Sequence, residues 1–360
     1  MNYHDPYQKN GTITIKVVWA IVFCLFSFFW LYWYQADVLS VGQHILSEGY
    51  TSYHRAVGAL LITLVLQALQ LFINYFAGLH RRTHTLTYFP SMLLLAILSS
   101  VYPSSNGLFT VSWLWVAPFA LLIWGTLLWT ARQILPLNPV KASTGFFSRI
   151  MWHNLLLLFL MMIAVNAVSN SNAVFHYRAH VETALLAGDD QEAMRVGQRS
   201  LETDAPLTLL RMYALSRNQL LGERLFEYPI CGTGRDFRPT KSSKSGILML
   251  SPDSVFSSLR TSPDYRLCTM LIDRKIDEFA VTLQRYYDLS GYLPKHYREA
   301  LTLYTHQRHH PVADYHNAEL DEDWKDFQQL EASYPDKNER KGVIADRYMG
   351  SYWYYYFYAK

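Results

Sequence analysis

The chain has 360 residues, of which 51% are hydrophobic and 17% are charged, and its formal net charge is +3. This length is typical of two domains, and so small a net charge argues against nucleic-acid binding. Three cysteines exclude a disulfide-dense scaffold. The charged residues are unevenly distributed: residues 17–168 are mostly apolar, whereas residues 169–360 carry most of the acidic side chains. The two parts therefore call for separate interpretations.

Five apolar blocks in the first part contain no Asp, Glu, Lys or Arg. A membrane-spanning helix needs about 20 such residues, so the sequence predicts about five transmembrane helices. The third block is the shortest and contains Pro90, and the polar turn at 103–107 predicts a hairpin between the third and fourth blocks. The blocks comprise residues 17–34, 56–79, 86–102, 108–130 and 150–168.

The loops between these blocks differ in Lys and Arg content, which predicts their side of the membrane because cytoplasmic loops carry the excess. One alternate set contains only Arg55, and the other contains Lys9, Lys16, Arg81, Arg82, Arg132, Lys141 and Arg149. With five crossings, this pattern predicts a bacterial inner-membrane protein with a cytoplasmic amino terminus and a periplasmic domain at 169–360. A re-entrant third block would place that domain on the other side.

Four polar residues of the second block follow a spacing of four, three and four, which places them on one helix face. They are Thr63, Gln67, Gln70 and Asn74. One interpretation is hydrogen bonding between helices, at about 0.6 kcal/mol per bond. The other is a polar lining for a cavity that holds a lipid or glycan head group. Membrane lipids are the expected partners of this part in either case.

Successive helices are predicted in the second part. Gly188 is suited to end one helix and Asp189 or Asp190 to cap the next, whose small residues Ala193, Gly197 and Ser200 share one face. The stretch resembles a tetratricopeptide repeat (TPR), and this resemblance implies stacked helix pairs and an all-α fold. Further helices are predicted at 206–226, 263–287 and 294–306, and an irregular helical bundle is the alternative. The matching residues are Gly188, Ala193, Ser200, Leu201 and Asp204.

The layout also resembles an uncharacterised family of polytopic membrane proteins from Bacteroidetes. The residues that carry this resemblance are the segment 293–301, Leu-Pro-Lys-His-Tyr-Arg-Glu-Ala-Leu, and the aromatic run 352–357. The resemblance covers most of residues 170–360. Because that family has no assigned activity, the resemblance implies an architecture and no chemistry.

The helical pattern stops between residues 228 and 260, which predicts a long loop inserted into the helical domain. Its basic side chains are candidates for binding anionic head groups or an acidic partner, at about 1 kcal/mol per charge close to a membrane. A simply solvated loop is the alternative. The basic residues are Arg235, Arg238, Lys241 and Lys244.

Cysteine and histidine residues offer two further candidates. In an oxidising compartment, Cys231 and Cys268 are able to form a disulfide, although sequence gives no distance between them. His306 and His310 have the four-residue spacing of a metal site, but Pro311 is expected to end the helix that would hold them. No cofactor is expected.

These observations favour a membrane-anchored, non-enzymatic scaffold whose helical domain presents a groove to a protein or peptide. The alternative is a membrane glycosyl- or acyl-transferase that acts on a lipid-linked substrate. For that alternative, the catalytic candidates are Asp37, Glu48 and His54 in the first outward loop.

Overall fold

The structure is a computed structural model that describes residues 6–79, 81–104, 107–109, 111–134 and 148–359. The chain divides into two compact units, Met1–Asn172 and Ala173–Lys360, close to the predicted division at 168/169. Within the described residues, helices account for almost all the regular structure and one two-stranded hairpin for the rest, so the predicted all-α class is confirmed.

In the first unit, four helices are long and apolar enough to cross a membrane: Lys16–Tyr34, Arg55–Ala77, Trp113–Gln133 and Arg149–Val168. Each corresponds to a predicted block. The elements of this unit are α1 (Pro6–Phe29), a π-helix (Trp30–Tyr34), α2 (Ala36–Leu46), α3 (Arg55–Ala77), a 3₁₀ helix (Arg81–Tyr88), α4 (Phe89–Ser99), strands β1 (Val101–Ser104) and β2 (Gly107–Phe109), α5 (Trp113–Ile134) and α6 (Arg149–Val168).

The third predicted block is not one continuous helix. It consists of the end of the 3₁₀ helix, the 11-residue α4 and the start of β1. Pro90 lies in the first turn of α4, where its missing N–H costs no hydrogen bond, so an α-helix begins there rather than upstream. At 1.5 Å per residue α4 is about 16 Å long, which is about half the thickness of the hydrocarbon core.

Together, the 3₁₀ helix and α4 still run from one end of the first unit to the other. At the beginning, the His84 ring lies 5.4 Å from that of Trp19, and the Thr85 N–H donates to Asn154 Oδ1 near the start of α6. At the far end, Trp30 Nε1 donates to Ser99 Oγ. This third segment (residues 84–100) therefore joins opposite ends of the helices beside it.

α5 returns antiparallel along the third segment. Trp113, at the start of α5, donates its Nε1–H to Ser100 Oγ. Eleven positions further on, Trp124 Nε1 donates to the Leu86 carbonyl over 2.8 Å. The antiparallel β1–β2 pair connects the two, as the predicted hairpin between the third and fourth blocks requires.

The second unit consists of twelve short helices in its described part, together with a 3₁₀ turn at Leu225–Glu227. They are α7 (Ala173–Leu186), α8 (Asp190–Arg195), α9 (Ala205–Arg217), α10 (Leu221–Arg224), α11 (Lys241–Ser245), α12 (Pro252–Thr261), α13 (Pro263–Ile272), α14 (Ile276–Leu283), α15 (Lys295–Gln307), α16 (Ala318–Ser333), α17 (Lys337–Tyr348) and α18 (Tyr352–Tyr358).

The core of the second unit is centred on α15 and the terminal aromatic run. Tyr297 and Leu301 of α15 are fully buried, as is Tyr352 of α18. Trp353 is 2% exposed, and its Nε1–H donates to the Glu299 carbonyl over 2.7 Å. Burial of large aromatic rings supplies much of the hydrophobic stabilisation of a domain. The aromatic run is therefore part of the core.

The first helix pair of the second unit follows the predicted turn but not the predicted length. Gly188 has φ +77° and Asp189 accepts the Glu192 N–H over 3.0 Å, as expected of a helix end and the next cap. However, α8 ends at Arg195, and Gly197 has φ +63°, a conformation that glycine adopts without strain. Gly197 and Ser200 thus lie after α8, so the shared face of small residues is wrong.

The predicted loop at 228–260 also differs from the structure. It contains α11 and nearly all of α12, which starts at Pro252 and buries Val255, Phe256 and Leu259. Spacings of one and three put these three side chains on one face of α12, which packs against the core. Much of the segment is consequently ordered by burial.

Candidate functional site

The polar residues of α3 take part in contacts between helices. Gln67 Nε2 donates to Gln70 Oε1 over 3.0 Å, and Gln70 Nε2 donates to Thr87 Oγ1 over 2.9 Å. Cys24 Sγ of α1 lies 3.5 Å from Gln67 Oε1. Thr63 is buried and Asn74 is half-buried. The contacts of Gln67 with Cys24 and of Gln70 with Thr87 connect α3 to neighbouring helices, which favours the first interpretation of this stripe.

The three catalytic candidates of the first outward loop occupy different local settings. Asp37 lies in α2, is 8% exposed and accepts a hydrogen bond from Arg55 Nη2 over 3.0 Å. His54 is the N-cap of α3 and accepts the Val57 N–H at its Nδ1. Glu48 is exposed in the turn after α2, with φ 51°. The contacts of Asp37 and His54 hold the start of α3 in place. They do not indicate a catalytic role for Asp37, Glu48 or His54.

The four predicted basic residues lie on a segment that is anchored to the second unit. Phe237 is fully buried, and its carbonyl accepts the Tyr265 hydroxyl. Arg235, Arg238 and Lys241 are exposed. Lys244 pairs with Asp253 Oδ1 over 2.6 Å. Three of the four cations are thus presented outward from a packed support.

Glu182 holds the end of this segment to α7 and has no counterpart in the sequence predictions. Its carboxylate is fully buried and accepts the N–H groups of Leu248, Met249 and Leu250 over 2.6–3.1 Å. Burial raises the pKa of Glu182, and the three amides oppose that shift. Glu182 is the one acidic residue of α7, which was a sequence signal for a special role. The sequence could not identify its partners, because they lie 66–68 positions away.

The two cysteines of the second unit are free thiols in different environments. Cys231 is exposed. Cys268 is buried in α13, with its Sγ 3.5 Å from the Tyr297 hydroxyl, and burial raises the pKa of this thiol.

The candidate metal-binding pair, His306 and His310, is not held on one helix. α15 ends at Gln307, so His306 lies on it and His310 lies beyond it. His306 Nε2 instead lies 2.9 Å from Asp321 Oδ1. Among the residues that the structure describes, no three or more His, Cys, Asp or Glu side chains are arranged to hold a metal ion.

An open hollow of about 640 Å³ lies between α7 and the turn after α8. Its volume is within the range of roughly 300 to 1,000 Å³ that is usual for ligand sites. Arg195 and Arg199 are exposed at its edge, and neither forms an ion pair with a described residue. We call this feature the basic hollow; it is lined by Tyr177, Arg195, Gly197, Gln198, Arg199 and Ser200.

A third guanidinium lies beneath the basic hollow. Arg211 of α9 is 2% exposed and donates from Nη2 to the Gly197 carbonyl over 3.1 Å and from Nη1 to Thr203 Oγ1 over 3.2 Å. Burial lowers the pKa of Arg211 to about 10, so it stays charged at neutral pH. The hollow is therefore positive at its edge and underneath.

Gly197 permits this arrangement by its lack of a side chain. A Cβ there would lie 3.0 Å from Arg211 Nη2 and 3.2 Å from the Tyr177 ring, and the residue has φ +63°. Because sequence reasoning placed Gly197 inside a helix, it missed the hollow.

Comparison with known proteins gives one finding, located at the carboxy-terminal end. A family of unknown function, DUF6057, matches residues 257–359. No curated protein and no solved structure matches the chain. The matched range runs from the second half of α12 through α18, so the basic hollow lies outside it.

Proposed function

We propose that this protein is a multi-pass scaffold of a bacterial inner membrane, and that its second unit is a TPR-like periplasmic domain that binds an acidic protein or peptide segment in the basic hollow. The observation that carries the binding proposal is the pair of arginines at the edge of the hollow, Arg195 and Arg199, with Arg211 beneath them. The match to a family of unknown function adds no activity.

Membrane insertion is supported by the surface of the first unit. Many apolar side chains of α3 point outward, among them Leu64, which is 56% exposed, and Leu71, which is 58% exposed. Exposure of this apolar surface to water costs about 25 cal/mol of free energy per Å², whereas exposure to lipid carries no such cost. The four apolar helices are each about 20 residues long, as a hydrocarbon core requires.

A periplasmic second unit is supported by the third segment. The contacts of residues 84–100 with opposite ends of the first unit support a fifth crossing by this segment, although α4 is short. Five crossings put the amino terminus and the second unit on opposite sides of the membrane. The Lys and Arg residues of the loops then favour a cytoplasmic amino terminus.

An acidic partner is supported by charge and shape. Arginine forms bidentate hydrogen bonds with carboxylates. Loss of such a pair costs more binding free energy when water is excluded around it. Tyr177 supplies an aromatic wall, which is a common feature of binding surfaces. Arg235, Arg238 and Lys241 are further exposed cations of the same unit.

The exposed Cys231 offers a test of sidedness in intact cells. A membrane-impermeant maleimide, applied after the outer membrane is made permeable, should label Cys231. Equal labelling before and after reduction would confirm that Cys231 is a free thiol, as in the structure, whereas labelling only after reduction would indicate the disulfide with Cys268 that the sequence allows. As control, a Cys231→Ser chain that carries Ser143→Cys in the predicted cytoplasmic loop should react only after the inner membrane is opened. The reverse pattern would place the second unit in the cytoplasm.

A photo-reactive amino acid at Gln198, which lines the hollow, tests partner binding directly. In intact cells it should give a discrete adduct with one protein. The double variant Arg195→Glu, Arg199→Glu should remove that adduct, and Arg195→Lys, Arg199→Lys should retain it, because positive charge attracts the partner. The control position is Val312, which is 68% exposed on the same unit. Equal adducts at both positions, or an adduct that survives charge reversal, would refute binding in the hollow.

A further inference from the structure

A groove of about 260 Å³ lies between the ends of α3 and α5 in the first unit. Its volume suits part of a long ligand rather than a whole one, since complete ligand sites measure about 300 to 1,000 Å³. Most of its lining is apolar. The residues that matter here are Phe76 of α3 and Trp124, Gly125, Leu128, Trp129 and Arg132 of α5.

Gly125 leaves the groove open. A Cβ placed there would meet no atom within 4 Å, so a side chain at this position would extend into free space. The neighbouring wall is fixed, because Trp124 Nε1 donates to the Leu86 carbonyl over 2.8 Å and the Trp124 ring stacks on Phe89 at 6.3 Å. A larger residue at 125 would consequently fill the groove without displacing this wall.

Arg132 closes one end of the groove in a fixed position. Its Nε donates to the Ala77 carbonyl over 2.7 Å, and its Nη2 donates to the Phe76 carbonyl over 2.6 Å. A guanidinium has five N–H donors, so these two bonds leave three unused by them. The Arg132 side chain is exposed, and no acidic residue is among those that line the groove in the described part of the chain.

We propose that this groove binds one anionic phospholipid, with an acyl chain along Gly125 and Leu128 and the phosphate on Arg132. The groove is formed by two helices of hydrocarbon length, so lipid chains are the apolar molecules that meet it. Arg132 lies at the end of α5, where a long cationic side chain reaches the head-group level. The exposed Trp129 beside it is typical of the same level.

The charge of the surroundings selects an anionic head group over a zwitterionic one. Arg81 and Arg82 begin the 3₁₀ helix that follows α3, Arg149 begins α6, and Lys141 lies between α5 and α6 in the sequence. Each basic residue near a membrane surface adds about 1 kcal/mol of attraction for anionic lipid. The groove belongs to the first unit, so this proposal does not depend on peptide binding by the second.

The test is native mass spectrometry of the full chain in detergent with equal amounts of phosphatidylglycerol and phosphatidylethanolamine. The wild-type protein should retain one phosphatidylglycerol in preference to phosphatidylethanolamine. Gly125→Leu should lose the bound lipid. Arg132→Gln should lower the preference about fivefold, the factor that about 1 kcal/mol per charge implies, and Arg132→Lys should keep it.

Thr126→Leu is the matched control, since it places the same leucine side chain at the next residue, which is exposed and is not among those that line the groove. It should leave lipid retention unchanged, and circular dichroism should show equal helix content in all variants. Equal retention of the two lipids by the wild-type protein would overturn the head-group assignment, and an adduct retained by folded Gly125→Leu would overturn the groove. If Gly125→Leu does not fold, the wild-type competition and the two Arg132 variants decide.

Discussion

The two units place polar and apolar side chains in opposite ways. In α3 of the first unit, Gln70 is 1% exposed while Leu71 beside it is 58% exposed. In α15 of the second unit, Leu301 is fully buried, while Gln307 is exposed. Both units form α-helices, so backbone structure does not account for the contrast. The contrast is accounted for if each unit turns outward the side chains that its own solvent accepts, which would be water for the second unit and, as we propose, lipid for the first.

This contrast predicts that one substitution has different effects in the two units. Leu160 of α6 is 52% exposed and Leu186 of α7 is 54% exposed. Leu160→Arg should cost about 2.5–3.5 kcal/mol of insertion free energy, because it places a charge near the bilayer centre. Leu186→Arg should change stability by less than about 0.5 kcal/mol, because the side chain remains in water. A membrane-insertion assay on α6 and thermal unfolding of the full chain in detergent measure the two quantities.

The control for this pair is Leu160→Phe, which keeps an apolar side chain on the same surface of α6 and should insert normally. If Leu160→Arg inserts as well as the wild-type protein, the exposed surface of α6 does not face lipid. The contrast between the units would then have another cause.

Patterns of neighbouring residues in the sequence predicted the helices that such patterns define. The apolar block 56–79 corresponds to α3 (Arg55–Ala77), and the predicted helix 294–306 corresponds to α15 (Lys295–Gln307). The start of α12 also had a local signal, Pro252 followed by spaced apolar residues, although it was interpreted as loop.

Such patterns could not predict contacts between residues that are far apart in the sequence. Glu182 orders residues 248–250 from 66–68 positions away, and Arg211 meets Gly197 through the left-handed turn at that glycine. The third block shows the same limit in the first unit. Its length and polarity predicted a helix, but only its contacts with α1, α6 and the π-helix at Trp30–Tyr34 show that it runs the length of the unit.

The smallest expected effect concerns polar groups inside the first unit, where two asparagines of α6 form a matched pair. Asn154 is fully buried, and its Oδ1 accepts the N–H of Thr85 over 3.1 Å and its hydroxyl over 2.6 Å, whereas Asn166 is exposed. Asn154→Ala should lower the free energy of unfolding in mixed micelles by between about 0.6 kcal/mol, the average for a hydrogen bond between membrane helices, and about 1.7 kcal/mol, the largest such value. Asn166→Ala should have almost no effect. Equal losses for the two variants would mean that buried hydrogen bonds do not distinguish the interior of this unit from its surface, whereas a loss confined to Asn154→Ala would show that polar contacts hold the third segment to α6.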